Sequence, residues 1–191
     1  LLDTQGPEIR TGDTSQVVDL EPGQLVSFTI RDEIDVETTS IRVNYDELIE
    51  SVKVGTLITL DNGLLNFKVL KKTENELECR VLDGGKLGSK RHVNLPGIRI
   101  NLPSITEKDK VDISFGLKQD VDFIALSFVR DLSDISDLER LIKRQRKKVK
   151  IISKIEDREG LSNISDICSA SDAVMVARGD LGVEMPAEEV P

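Results

Sequence analysis

Tryptophan is absent from these 191 residues, tyrosine occurs once, and the single histidine is His92. With one histidine, general acid–base work falls to a lysine or to water. Cysteine is scarce as well. Cys79 and Cys168 lie far apart, without CxxC spacing or a histidine partner, so buried free thiols in a reducing cytoplasm are expected. No apolar run approaches the roughly 18 residues of a membrane span, and the Leu1-Leu2 start lacks a basic-then-apolar signal pattern. No membrane partner is expected. Positive charge is in the minority, 26 Lys and Arg against 35 Asp and Glu, and the net charge of −9 argues against non-specific nucleic-acid binding.

What is present is the composition of a soluble globular protein, 38% hydrophobic and 32% charged. One basic run stands out: Lys143, Arg144, Arg146, Lys147, Lys148 and Lys150. It closes a helical pattern over 132–148 with Leu138, Leu141 and Ile142 on one face. Cations there suit the helix C-terminus and solvent, and no aromatics are interleaved as a nucleic-acid surface would want.

Two textures divide the chain. From Asn94 onward, helix and strand alternate. Thr106 and Asp109 are spaced as a capping box for a helix to Gln119. Asp122–Phe128 reads as a strand, 132–148 as a helix, and Lys150 opens another strand. One helix is expected in the segment that follows, and then a buried strand, Ala173–Ala177. Between Thr11 and Val93 the runs are short and strand-like: VVDL, QLVSFTI, TSIRVN, TLITL, LLNFKVLKK and ELECRVL. Pro22-Gly23, Asn62-Gly63, Glu74-Asn75 and Gly84-Gly85 punctuate them as turns. The expected organisation is a β/α part over 1–11 and 94–191, with an all-β module over 12–93 inserted into it. A closed (β/α) barrel needs about 250 residues, so the β/α part can supply only a portion of one. The fold class is therefore α/β, a partial barrel with an inserted small all-β barrel.

The chemistry concentrates in KIISKIED (150–157) and VARGDLG (176–182). Lys154 and Glu156 sit two apart on a strand and so point the same way. Asp180 lies just past the end of the next strand. A β-α-β unit makes those strands parallel, and such sheets carry their sites at the strands' C-terminal ends. Two carboxylates and a lysine converging there suit a hard divalent cation and a charged substrate. The plainer reading is a surface ion pair between Lys154 and Glu156. Arg178-Gly179-Asp180 also spells an adhesion tripeptide, but such a tripeptide needs an exposed extracellular loop tip.

Five ordered blocks, LLDTQGPEIRTG (1–12), GSKRHVNLPG (88–97), LSFVR (126–130), KIISKIED and VARGDLGVEMP (176–186), resemble those of the pyruvate kinase family. The resemblance spans essentially the whole chain. It implies a TIM barrel carrying an inserted mobile lid, and transfer of the phosphoryl group of phosphoenolpyruvate to ADP. Pyruvate and ATP are the products, in glycolysis. By the same resemblance, Glu156 and Asp180 match ligands of Mg²⁺ (or Mn²⁺). Lys154 matches the lysine on the transferring phosphoryl group, both substrate-binding and catalytic. The backbone N–H groups of Gly179 and Asp180 match those that take the substrate carboxylate at a helix start. Asp3 and Thr4 match ligands of K⁺, although from the residues alone a strand-end cap is the preferred reading. Arg10 and Arg91 fall at nucleotide-contacting positions, and Glu8 goes with K⁺ dependence.

Three departures from the family pattern are visible: Gln5 for a lysine, Asn62 for an aspartate that serves a lid-closing ion pair, and Arg91 for a lysine. The resemblance also implies that further barrel strands, a substrate-binding threonine and a regulatory domain lie outside these residues, that the 191 residues alone are inactive, and that the parent is a cytoplasmic homotetramer. Two other readings stay open, a Mg²⁺-dependent lyase of the phosphoenolpyruvate-binding barrels and a non-catalytic binding or assembly module. The lyases lack the β insert.

Overall fold

The computed structural model describes residues 1–30, 39–98 and 100–190. They form two compact units, Leu1–Pro7 with Leu102–Pro191, and Glu8–Asn101. Between those break points, the sequence divisions expected at 11/12 and 93/94 fall inside the second unit. The reason is local: Val93 N–H donates to the Ile9 carbonyl at 2.8 Å and Thr11 N–H to the Arg91 carbonyl at 2.8 Å.

The first unit is built on four parallel strands in the order Leu2–Asp3, Phe123–Leu126, Lys150–Ile155 and Ala173–Val176. The register sets Asp3 opposite Ala125, Leu126 opposite Ser153, and Lys154 opposite Met175. Helix Glu107–Lys118 starts where the sequence predicts: Thr106 accepts from Asp109 N–H while Asp109 reaches back to Thr106 N–H, closing the capping box. Helix Leu132–Arg144 is capped by Asp131, which accepts from Ser133 N–H at 2.7 Å. Its buried positions Ile135, Leu138 and Ile142 recur with helical spacing and pack with Ile124, Leu126, Ile151 and Ile155 of the strands.

Several expectations for this unit need correction. The helix ends at Arg144 and not at Lys148; Gln145 caps it, and Arg146 takes a left-handed φ of +53°. The single helix expected after Asp157 is two, Arg158–Ser162 and Ile164–Ala170, broken at Asn163. Strand Ala173–Val176 is exposed throughout, with Val176 at 54%, because it is the edge of the sheet and is paired on one side only. Cys168 is exposed while Cys79 is buried. Its neighbour Ile167 holds the inward position on that helix, which turns Cys168 outward.

The second unit is a six-stranded sheet in the order Thr39–Arg42, Leu25–Thr29, Glu76–Asp83, Leu65–Lys72, Leu57–Leu60 and Val93–Asn94. A two-stranded ribbon, Val18–Leu20 with Gly85–Leu87, and a one-turn helix, Leu48–Ser51, complete the regular structure of its described residues. Alternating residues fill its core, among them Val26, Phe28, Phe67, Val69, Leu77 and Cys79, with the Phe28 and Phe67 rings edge to face at 5.1 Å. Arg10 and Thr11 bridge the two outer strands of the sheet, Arg10 beside His92 and Thr11 beside Val43, and so close it as a barrel. His92 is thereby half-buried at this seam. Chain passage from Glu76–Asp83 into the ribbon requires Gly84, where a Cβ would sit 2.2 Å from the Leu20 carbonyl oxygen.

Candidate active site

The carboxyl ends of the first unit's parallel strands gather most of the residues singled out above. Lys154 projects from strand Lys150–Ile155, and its ammonium lies 2.9 Å from Glu156 Oε1 and 3.2 Å from Asp3 Oδ1. It donates a third bond, 2.9 Å long, to Ser127 Oγ. An ammonium has three N–H donors, and here each faces an oxygen. Alternation along one strand brings Lys154 and Glu156 together, while the parallel register delivers Asp3 and Ser127 from the two strands on one side. The plain surface ion pair is not what the structure contains: Glu156 is 2% exposed and sits at the mouth of a parallel sheet.

Glu156 is held from both ends. Oε1 faces Lys154, and Oε2 accepts from the Phe128 backbone N–H at 2.8 Å. Burial pushes its carboxyl above the ordinary value, the negative charge of Asp180 adds to that, and Lys154 and the Phe128 amide offset only part. For Lys154, burial works against the charged form, but the hydrogen bonds and charges of Glu156 and Asp3 outweigh it and raise the pKa. A buried carboxylate whose charge is incompletely compensated is a fit place for a cation.

Asp180 is half-buried in the first turn of helix Arg178–Glu184, with no side-chain cap at Ala177. The first N–H groups of a helix lack intrahelical partners, which applies to Gly179 and Asp180. Among the described residues, no three His, Cys, Asp or Glu side chains cluster as a metal cage. The negative charge of Asp180 reaches Glu156, and these two hard carboxylates could hold a divalent cation such as Mg²⁺ or Mn²⁺, an arrangement that leaves other positions to water and substrate.

Thr4 is buried and engaged with the neighbouring strand: its Oγ1 accepts from Ser127 N–H at 2.9 Å, and its carbonyl accepts from Ser127 Oγ at 2.8 Å. Asp3, in contrast, keeps a half-exposed carboxylate. Arg10 and Arg91 belong to the second unit. Arg10 Nε donates to Glu8 Oε2 at 2.7 Å and Nη1 to the Lys90 carbonyl at 2.8 Å, while Arg91 pairs with Asp61 at 3.3 Å. The Asp61-Asn62-Gly63 turn, all at positive φ, thus holds an ion pair through Asp61 without the second aspartate.

Ser127 and Phe128 lie within LSFVR (126–130), and the sequence alone assigns neither a role. The available signal was their position, directly after an apolar strand at its C-terminal end.

Comparison with known proteins identifies the family. The chain belongs to the pyruvate kinase family, matching the family's "Pyruvate kinase, barrel domain" over residues 1–191. It is 46% identical over 192 residues to plastidial pyruvate kinase 2 of Arabidopsis thaliana, and 45% identical over 194 residues to the pyruvate kinase of Staphylococcus aureus strain COL. In both cases all of this chain is covered and 33% of the relative, so the chain spans about a third of the length of these curated relatives.

Proposed function

We propose that this chain is the lid-bearing part of a pyruvate kinase barrel, and that the full-length protein moves the phosphoryl group of phosphoenolpyruvate to ADP and protonates the resulting enolate to pyruvate. The observation that carries this is the Lys154 ammonium, desolvated and aimed by three oxygens at the mouth of a parallel sheet. Phosphoryl transfer asks mainly for positioned positive charge around the equatorial oxygens. Lys154 would supply it. Glu156 and Asp180 would hold Mg²⁺ or Mn²⁺, which when bound adds Lewis-acid charge against the substrate oxygens. The amides of Gly179 and Asp180 would take the substrate carboxylate. Asp3 and Thr4 would ligate K⁺, and Arg10 and Arg91 would meet the phosphates of ADP or ATP, guanidinium forks suiting that task. A homotetramer in the cytoplasm is part of the same proposal. Among the described residues, no helix is long and apolar enough to cross a membrane.

The inserted unit Glu8–Asn101 favours the kinase over the lyase reading, since lyases of that group carry no such insert. The test is pyruvate formation by the full-length protein, with and without ADP. ADP-dependent pyruvate and ATP are expected, and the 191 residues alone should give none. Pyruvate released without ADP would favour the lyase, and no product at all would favour a binding module.

A further inference from the structure

We propose that Ser127 and Phe128 form a clamp that positions the two functional side chains of strand Lys150–Ile155 and its end, Ser127 gripping Lys154 and Phe128 gripping Glu156. The inference rests on the function proposed above and adds two positioning residues to it.

Ser127 is buried, and its bonding leaves no freedom. The hydroxyl has one hydrogen, and the Thr4 carbonyl accepts it at 2.8 Å. Toward Lys154 the oxygen can only accept, so a lone pair is fixed on the ammonium at 2.9 Å. The backbone of Ser127 is pinned in turn, its N–H donating to Thr4 Oγ1 at 2.9 Å, while Thr4 N–H donates to the Ala125 carbonyl at 2.9 Å. The other two acceptors of Lys154 are carboxylates, Asp3 and Glu156, each with a cation to serve under the proposed function. Ser127 is the neutral one. It can orient the ammonium without cancelling its charge, and it need not let go when those carboxylates turn to a cation. A serine that only tied two strands together would need the Thr4 contacts and no contact with the lysine.

Phe128 does the corresponding work for Glu156. Its φ is +53°, a left-handed conformation that a bulky side chain rarely adopts. That backbone turn aims the Phe128 N–H at Glu156 Oε2, 2.8 Å away, while the next amide, Val129 N–H, bonds the Lys154 carbonyl at 3.3 Å. Space for the ring comes from Gly6, where an added Cβ would lie 2.8 Å from the Phe128 Cδ2 atom. Strained backbone held in place by its surroundings is typical of functional positions.

The experiment is a double-mutant cycle in the full-length protein, combining Ser127→Ala with Lys154→Met and measuring kcat, the KM for phosphoenolpyruvate, and Mn²⁺ affinity. Ser127→Ala is expected to lower kcat roughly 10–100-fold, the scale of one charge-assisted hydrogen bond, with KM and Mn²⁺ affinity changed little. In the Lys154→Met background the same change should cost almost nothing, because the partner is gone. Ser127→Cys keeps the volume with a weaker acceptor and should fall between wild type and Ser127→Ala; it carries the test if the alanine variant does not fold. A wild-type kcat in Ser127→Ala, or equal losses in both backgrounds, would overturn the clamp while leaving the kinase reading intact. An inactive wild-type protein would instead overturn the reading beneath it.

Discussion

Gly6 and Phe128 are fitted to one another: the ring of Phe128 occupies the space a side chain at residue 6 would fill, and Gly6 itself sits at φ +73°. Both constraints exclude an ordinary L-residue there. Because Phe128 in turn donates to Glu156, a change at Gly6 should be felt at the buried carboxylate.

Gly6→Ala is therefore expected to destabilise the protein by about 1–3 kcal/mol, combining left-handed backbone strain with a displaced aromatic ring. Mn²⁺ affinity should fall as well, through Glu156. Denaturant unfolding measures the first quantity and Mn²⁺ titration the second. An alanine variant with unchanged midpoint and unchanged Mn²⁺ binding would show that the ring has room to move.

Cys79 should be a silent thiol in the native protein. It is fully buried in the second unit's core, and burial pushes its pKa up to about 12, with the nearby Glu78 charge adding to the shift. A thiol raised in this way stays protonated below that pH, so the reactive thiolate is suppressed across the physiological range. Alkylation followed by peptide mapping should leave Cys79 unmodified at pH 8 and at pH 9, and label it only after denaturation. Native labelling already substantial at pH 8 and levelling off as the pH rises further would mean an accessible thiol of ordinary pKa.

Much of the fold could be read directly, and the failures have physical causes. The capping box at Thr106 and Asp109 was legible because residue type and spacing alone determine it. The β-α-β order around Lys154 followed from periodicity and length. Strand Ala173–Val176 was misjudged because apolar composition suits burial, yet its exposure depends on whether another strand pairs with its free side. Closure of the second unit by Arg10 and Thr11 is a non-local bridge that no local pattern encodes. Within the site, Lys154, Glu156 and Asp180 could be found from charge in an apolar strand context. Ser127 and Phe128 could not, since one acts through a cross-strand register and the other through its φ.

The monovalent cation gives a third expectation. Glu8 accepts from Arg10 at 2.7 Å, and by family resemblance a carboxylate at this position goes with K⁺ dependence. Wild-type full-length protein should lose most of its rate when K⁺ is replaced by tetramethylammonium, and Glu8→Lys should lose much less. The same substitution sets a lysine beside Arg10 and so should raise the KM for ADP. Equal rates of wild type in both salts would show the inference wrong.

Under the proposed function labour divides between Lys154, acting on developing charge, and Glu156 with Asp180, acting through a divalent cation. Lys154→Met in the full-length protein tests this division most directly, with Asp180→Asn as the contrast, using coupled steady-state kinetics and proton relaxation with Mn²⁺. Lys154→Met is expected to lower kcat and kcat/KM together by roughly 10²–10³, the scale for removing a preorganised electrostatic contact, while Mn²⁺ and phosphoenolpyruvate still bind. Asp180→Asn should weaken Mn²⁺ binding as well as the rate. A Lys154→Met variant with raised KM and a kcat near wild type would contradict this division and reduce Lys154 to a ground-state anchor.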